Sequence, residues 1–439
     1  VTIDAAAGSI SVTGGTLTPA GVAPNNYDFL VTGVGGTIAT NTSLGRVQID
    51  GTGLTTTTNL LADDLTIDNG GALTMSPGDQ LILSGTTSNL NVNNGTLDLG
   101  TGGADIEGGV VIGASGTLDM NSVAITVGTN FNHGNTGTLS NVGALTFDNA
   151  VVGGTFTTPA GGMTSGNITI AQAGQTLIVT GGTLTAPLVT VNAGVLDLQT
   201  STVFGSGGTT QVTGTGTLTS TTGGSTHTFN DGVGSTPLNM NSGTATFSFP
   251  AAGSLVILEE GGTSTLTAGN LTFGTGTLRG GLLADATTSA LAVAAAVVST
   301  FSGTTVQDMV ATGAGTPIAL IGGSFDAAST PGWVVGKRWL STAVSSNWND
   351  PLNWSGLTLV PQAGEVAVFD NQSNGGFQPL TLGGIGSMGG LLITSGYVNT
   401  IAINGPVTFS TSFQVDMTGV GAAFNTGANA VIFGGAAGS

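Results

Sequence analysis

The chain has 439 residues, of which 77 are Gly and none is Cys, and its formal net charge of −19 reflects 23 acids against four bases. Without cysteine there is no disulfide framework, thiolate nucleophile or Cys-ligated metal, and Arg46, Arg279, Lys337 and Arg338 are too few to build the basic patch that nucleic acid or an anionic membrane needs. Gly and the nearly as common Thr disfavour helix, so an all-β chain is expected, and a hydrophobic fraction of 39% in short alternating runs separates it from a disordered polar tract.

The chain opens at Val1 rather than Met, which reads as a leader already removed. The first strand-like stretch is "VTIDAAAGSISV" (1–12). A phrase of Gly, a small residue, Leu, and Thr or Asp then recurs: "GGTLTP" at Gly14, "GALTM" at Gly71, "GTLDLG" at Gly95, "GTLDMN" at Gly116, "GVLDLQ" at Gly194 and "GTGTLRG" at Gly274. The spacings Gly71 to Gly95, Gly95 to Gly116 and Gly194 to Gly216 are 24, 21 and 22 residues. A period of that size, with strand alternation and no helical segment, predicts a parallel β-helix, or β-solenoid, over residues 1–283, in roughly a dozen coils. In "TLDLG", Leu97 and Leu99 face inward and Asp98 outward, because side chains alternate across a strand. Leu118, Leu196 and Leu198 extend the same inward ladder, and Gly and Asn-Gly supply the corners. "VNNGTLDLG" (92–100) and "VNAGVLDLQ" (191–199) are expected to be the same strand of coils four or five turns apart.

Several residues are candidates for chemistry. A polysaccharide lyase would need a base, and Arg46 and Arg279 are the only ones in the repeats, neither beside a carboxylate cluster in sequence. A hydrolase would need two carboxylates at a set separation, whereas Asp63 with Asp64 and Glu259 with Glu260 are adjacent and would point to opposite faces of a strand. No enzyme is expected. Asp98, Asp119 and Asp197 occupy one place in the repeat. Carboxylates about 5 Å apart on neighbouring coils repel by roughly 1 kcal/mol in water and favour a bridging cation, and the alternative is a solvated face with the charges splayed. "GGADIEGG" (102–109) resembles part of a calcium-binding nonapeptide repeat but occurs once. No cofactor is expected beyond Ca2+ at such places. His133 and His227 are ninety-four residues apart, too far along the coils to share one ion, and are read as loop residues.

The phrase fades over 284–332, read as an Ala/Thr/Gly-rich transitional section, and its "ALAVAAAVV" (290–298) is too short to cross a bilayer as a helix. No membrane insertion is expected. The section 333–439 holds all four tryptophans, Trp333, Trp339, Trp348 and Trp354, and is read as a β-rich domain, either a second short stack or a sandwich. Trp348 and Trp354 offer a stacking platform for a glycan, or else close one end of a core with each ring N–H paired, held by the turn residues Asn347, Pro351 and Asn353. Asn41, Asn167, Asn270, Asn353 and Asn371 begin Asn-X-Ser/Thr triplets, as expected by chance in so Thr-rich a chain.

"VNNGTLDLG", "VNAGVLDLQ" and "VTGGTLTAP", with "SSNWNDPLNWSG" (345–356) and "VPQAGEVAVFD" (360–370), resemble the autotransporter-associated β-strand repeat of bacterial surface and secreted proteins. The resemblance implies a right-handed parallel β-helix, export, and adhesive or structural work at the cell surface. Nothing near Ser439 resembles the strands of a translocator barrel.

Neither end shows a helical or charged cap, so the terminal rungs are expected to be bare and to pair with another chain. The leading expectation is a secreted, extracellular structural protein that self-assembles head-to-tail into a filament or sheath, its partner being copies of itself. The interface would comprise Val1, Ile3, Ile10 and Val12 at one end and Val431, Ile432 and Phe433 at the other. A glycan-binding adhesin using Trp348 and Trp354, or a surface-layer lattice protein, is the alternative.

Overall fold

A computed structural model describes residues 3–5, 8–13, 16–19, 28–40, 43–84, 88–134, 136–148, 153–205, 209–230, 236–258, 261–281, 288–294, 296–313, 318–329, 332–355, 360–362, 365–369, 373, 390–393, 397, 399–402, 407–409, 415–417, 423–425 and 431–433. Their regular structure is β-strand apart from two short 3-10 turns, Ala327–Ser329 and Pro351–Asn353. The chain divides into two compact units, Val1–Gly232 and Val233–Ser439.

In the first unit each turn of chain lays down three short strands. Leu81–Leu83, Leu90–Val92 and Gly95–Asp98 make one coil, and Ala104–Ile106, Val110–Ile112 and Thr117–Asp119 make the next. The coils pair in parallel and in register: Leu81 with Ala104, Leu90 with Val110, and Leu97 with Leu118. The protein is therefore a parallel β-solenoid with three faces. Parallel neighbours need a long crossover between them, and here the other two strands of the coil are that crossover. This is why the repeat needs some twenty residues rather than a hairpin's two. On the first two faces a three-residue strand points in, out and in, as in Leu81–Leu83 and Leu90–Val92. The inward rows are apolar, and Leu97, Leu99, Leu118, Leu196 and Leu198 are all fully buried.

The glycine spacings are the coil period. Gly95 pairs directly with Gly71, and Gly116 precedes Thr117, which pairs with Thr96. A Cβ on Gly116 would lie 1.8 Å from the Val92 carbonyl oxygen of the preceding coil. Gly116→Ala is therefore expected to cost about 2 kcal/mol or more through forced backbone displacement, read as a lower urea midpoint at unchanged slope. Gly161→Ala is the control, since nothing lies within 4 Å of its Cβ position and its φ is not positive. It should change stability by no more than about 0.5 kcal/mol.

The two long phrases are not the same strand. Gly95–Asp98 lies on the third face, between Gly71–Thr74 and Thr117–Asp119. Val195–Leu198 lies on the second, between Thr176–Gly181 and Thr217–Thr219, in the row that continues from Leu90–Val92 through Val110–Ile112 and Phe131–His133. The phrase encodes a strand, an Asn-Gly corner and a second strand, which is a local unit that more than one edge of the coil accepts. Which edge it occupies depends on the lengths of all the corners between. The corners also differ locally, for Gly194 has φ +75° whereas Gly95 stays out of the left-handed region.

At the amino-terminal end the expected bare rung is absent. Phe29–Thr32 pairs in parallel with Leu44–Ile49, and Val34–Thr40 with Thr52–Thr56, as first-rung strands should. Their outer edges are covered by antiparallel strands of the same chain: Thr16–Pro19 on Phe29–Thr32, and Gly8–Thr13 on Val34–Thr40, with Ile3–Ala5 beyond. Antiparallel return strands need no crossover, so the chain can satisfy its first rung locally. Ile3, Ile10 and Val12 lie in these covering strands, and Val1 lies outside the described residues.

In the second unit, Leu238–Phe249 and Thr263–Phe273 run long enough to pass round a corner and pair in parallel with two register shifts. Within 284–332, Ser289–Val293, Val297–Ser302, Met309–Thr312 and Ile318–Ile321 pair in parallel with the strands before them. The row continues through Trp333–Arg338, Val366–Phe369, Gly390–Ile393 and Val415–Met417, again parallel, which is solenoid pairing and not that of an antiparallel sandwich. Thr400–Ala402 pairs with Ala423–Asn425, and Val407–Phe409 with Val431–Phe433. An aromatic row runs along this core: Phe249 on Phe273 at 5.8 Å, Phe273 on Phe301 at 5.0 Å, and Phe301 edge-on to Trp333 at 5.2 Å. Among the described residues no helix is long and apolar enough to cross a membrane.

Candidate functional site

The aspartates of the repeat do not form one row. Asp98 and Asp119 pair across neighbouring strands of the third face, while Asp197 sits on the second face between Ile178 and Thr219. The repulsion expected between Asp98 and Asp119 is met by side-chain amides from the turn one coil on. Asn121 Nδ2 donates to Asp98 Oδ1, and Asn141 Nδ2 donates to both oxygens of Asp119, at 2.9 and 3.0 Å. Backbone N–H groups of Gly100 and Asn121 add bonds of 2.9 Å to the same carboxylates. Asn121 and Asn141 have φ +46° and +47°, a left-handed geometry that Asn tolerates. The row is thus a staircase of alternating carboxylates and amides rather than a set of charges simply splayed into solvent. Asp197 is nearly buried and accepts from the Thr221 N–H at 3.0 Å and its hydroxyl at 2.5 Å. Near "GGADIEGG", burial together with Asp105 and Glu107 raises the Asp148 carboxyl above its ordinary value. Among the described residues no three His, Cys, Asp or Glu side chains are placed to hold a metal ion.

Arg46 is not an isolated base. Its Nη2 lies 3.0 Å from Asp28 Oδ1, and its hydrogen bonds hold the Asp28 carboxyl below the usual range. Arg279 donates from Nε to the Gly281 carbonyl at 3.0 Å. Asp63 and Asp64 do not point to opposite faces, since the strand Leu60–Ile67 turns a corner there, pairing through 60–62 with one strand and through 65–67 with another. Neither Asp is buried, and Asp64 Oδ1 accepts from the Asn89 N–H at 2.6 Å. Glu259 and Glu260 lie outside the described residues.

Both histidines are in strands and buried, not in loops. His133 ends Phe131–His133 one rung from Ile112, and its Nε2 lies 3.0 Å from the Gly137 carbonyl. His227 is fully buried opposite Thr202, whose hydroxyl is 2.9 Å from Nδ1. Burial lowers the His227 pKa to about 4, opposed only partly by the Asp197 charge. A signal existed in the sequence: His227 and Phe229, like Phe131 and His133, are two apart, so an inward Phe obliges an inward His.

Trp348 and Trp354 present no face to a sugar. Both have zero exposure and sit 4.4 Å apart, edge to face, among Trp339, Phe369 and Tyr397. The turn residues do fix them. Asp350 caps the turn Pro351–Asn353 by accepting from the Leu352 N–H. The buried Asn353 amide accepts from the N–H groups of Val344 and Ser345 and donates to the carbonyls of Ser345 and Asn347. Trp354 Nε1 donates to the Trp348 carbonyl at 2.8 Å, but Trp348 Nε1 has no acceptor among the described residues. Asn353 is therefore closed to modification, Asn167 is exposed and Asn270 half-buried, and Asn41 and Asn371 lie outside the described residues.

Sequence reasoning passed over a polar concavity on the second face of the first unit. Outward side chains of three successive second-face strands, Leu44–Ile49, Leu60–Ile67 and Leu90–Val92, line a groove of about 460 Å³. Arg46, Asp64 and Asn89 form its upper row, Gln48, Thr66 and Asn91 the middle, and Asp68 and Asn93 the lower. Outward polar residues two apart are what any half-exposed strand carries, so nothing in the sequence marked these as convergent.

Compared with known proteins, the chain matches no family model, no curated protein and no solved structure.

Proposed function

We propose that the protein is a secreted structural protein of the bacterial cell surface, whose copies join end to end into an extracellular filament or sheath. The observation that carries this reading is the axial pairing: in both units successive coils bond to one another through parallel strands, so backbone valence for growth lies along the coil stack. The tryptophans fill a core, the histidines lie in inward rows, and Arg46 is paired. The resemblance to autotransporter-associated repeats supports the extracellular setting.

The covering strands at the amino-terminal end modify the expected contact. A mating copy would meet the outer edge of Ile3–Ala5 rather than an open coil, and would bring the strands of the Val431–Phe433 rung. Electron microscopy and sedimentation of the purified chain should show end-to-end oligomers that lengthen with concentration. Ile432→Pro, which removes a ladder N–H, should shorten them. Uniform single particles that remain monomeric at every concentration would overturn the proposal.

A further inference from the structure

The second-face groove has the chemistry of a ligand site: its upper row is tied into the fold, with Asp64 accepting from the Asn89 N–H and Arg46 paired to Asp28, while the rows below it are largely uncommitted. We propose that it binds a neutral, extended saccharide. Three observations converge. First, the middle and lower rows carry uncommitted hydrogen-bonding capacity. Gln48 spends one amide hydrogen on Asp50 and Asp68 one oxygen on the Asn69 N–H. The Thr66 hydroxyl and the Asn91 and Asn93 amides engage no side chain or backbone group among the described residues. An amide and a hydroxyl side by side offer both donors and acceptors, which is what vicinal sugar hydroxyls require.

Second, the row has two ends. Gln48 pairs backward with Leu30 and Asn91 pairs forward with Val111, so Leu30 and Val111 close a polar run of three rungs. Rungs are about 4.8 Å apart, close to the length of one hexose unit. A run of this length suits two or three sugar units lying along the coil axis. The cavity also falls in the size range of small-ligand sites.

Third, the charge selects against acids. The one base, Arg46, is neutralised by Asp28, leaving Asp64 and Asp68 as the net charge of the lining. A polyuronate would be repelled, and a neutral chain would not. The site lacks an aromatic platform, so the affinity is weak, with a Kd on the order of 1 mM.

The test is titration calorimetry of the full chain against neutral tetrasaccharides of glucose, mannose and N-acetylglucosamine, with a tetragalacturonate as the charged comparator. At least one neutral chain should bind and the charged one should not. Asn91→Ala and Thr66→Val should each weaken binding by about tenfold, the loss of one or two hydrogen bonds. Asn132→Ala, outside the groove on the same face, should leave binding unchanged, and matched circular dichroism would show that all variants are folded. No neutral saccharide binding at about 10 mM, binding indifferent to Thr66 and Asn91, or preference for the uronate would each overturn the proposal. Oligomer length, read separately, bears only on self-assembly.

Discussion

Trp354→Ala is expected to lower stability by about 3–5 kcal/mol, the range for emptying a buried aromatic site. Trp354 is fully buried, 4.4 Å from Trp348 and 5.2 Å from Trp339 in edge-to-face contacts, with Phe369 at 5.9 Å. Its backbone bridges antiparallel to Trp339, and its ring N–H holds the Trp348 carbonyl. Removing the indole therefore opens a cavity and leaves a buried carbonyl short of a donor. Chemical denaturation followed by tryptophan fluorescence would report the change. Two milder variants separate the contributions. Trp354→Phe keeps much of the volume but loses the hydrogen bond, costing about 1–3 kcal/mol. Trp348→Phe removes an N–H that has no acceptor among the described residues and should cost less. A Trp354→Ala chain as stable as the parent would contradict the packing described above.

Stability should also fall on mild acidification because of His227. In the folded chain burial lowers its pKa to about 4, against 6.5 for an ordinary histidine. Between these values the unfolded chain holds a proton that the folded chain does not, so stability rises with pH across that interval. The contribution is complete above about pH 6.5, declines as pH drops towards 4, and levels off below. The full span is about 3 kcal/mol. His227→Gln keeps a polar group beside the Thr202 hydroxyl but cannot titrate. Unfolding free energies from urea denaturation at pH 7.5 and pH 4.5 should differ less in this variant than in the parent, by about 2–3 kcal/mol. Equal pH dependence in both chains would mean that His227 charges without leaving its buried position.

These two residues illustrate what each level of description carries. Alternation was legible: Leu97, Leu99, Leu118, Leu196 and Leu198 are inside because a strand sends every second side chain the same way. The coil period was legible too, since Gly71, Gly95 and Gly116 stack where a Cβ would collide with the coil below. The all-β solenoid followed from those two regularities. The burial of His227 was available in principle, two residues from Phe229, but required knowing which parity faced inward.

The remainder depends on sums over the whole winding. Whether "VNAGVLDLQ" falls on the second or third face is set by the accumulated length of every corner before it, and one residue more or less in any corner moves the strand that follows. Asp197 was separated from Asp98 and Asp119 by that count alone. The covering of the first rung by Gly8–Thr13 and Thr16–Pro19 needs a reversal of chain direction that local composition does not announce. The meeting of Gln48, Thr66 and Asn91 in one row joins residues 43 positions apart from end to end. Local sequence thus determined strand, corner and inward parity, because these are properties of a few adjacent residues. Tertiary structure alone decided face, edge and groove, because each is set by which distant coil comes to lie alongside.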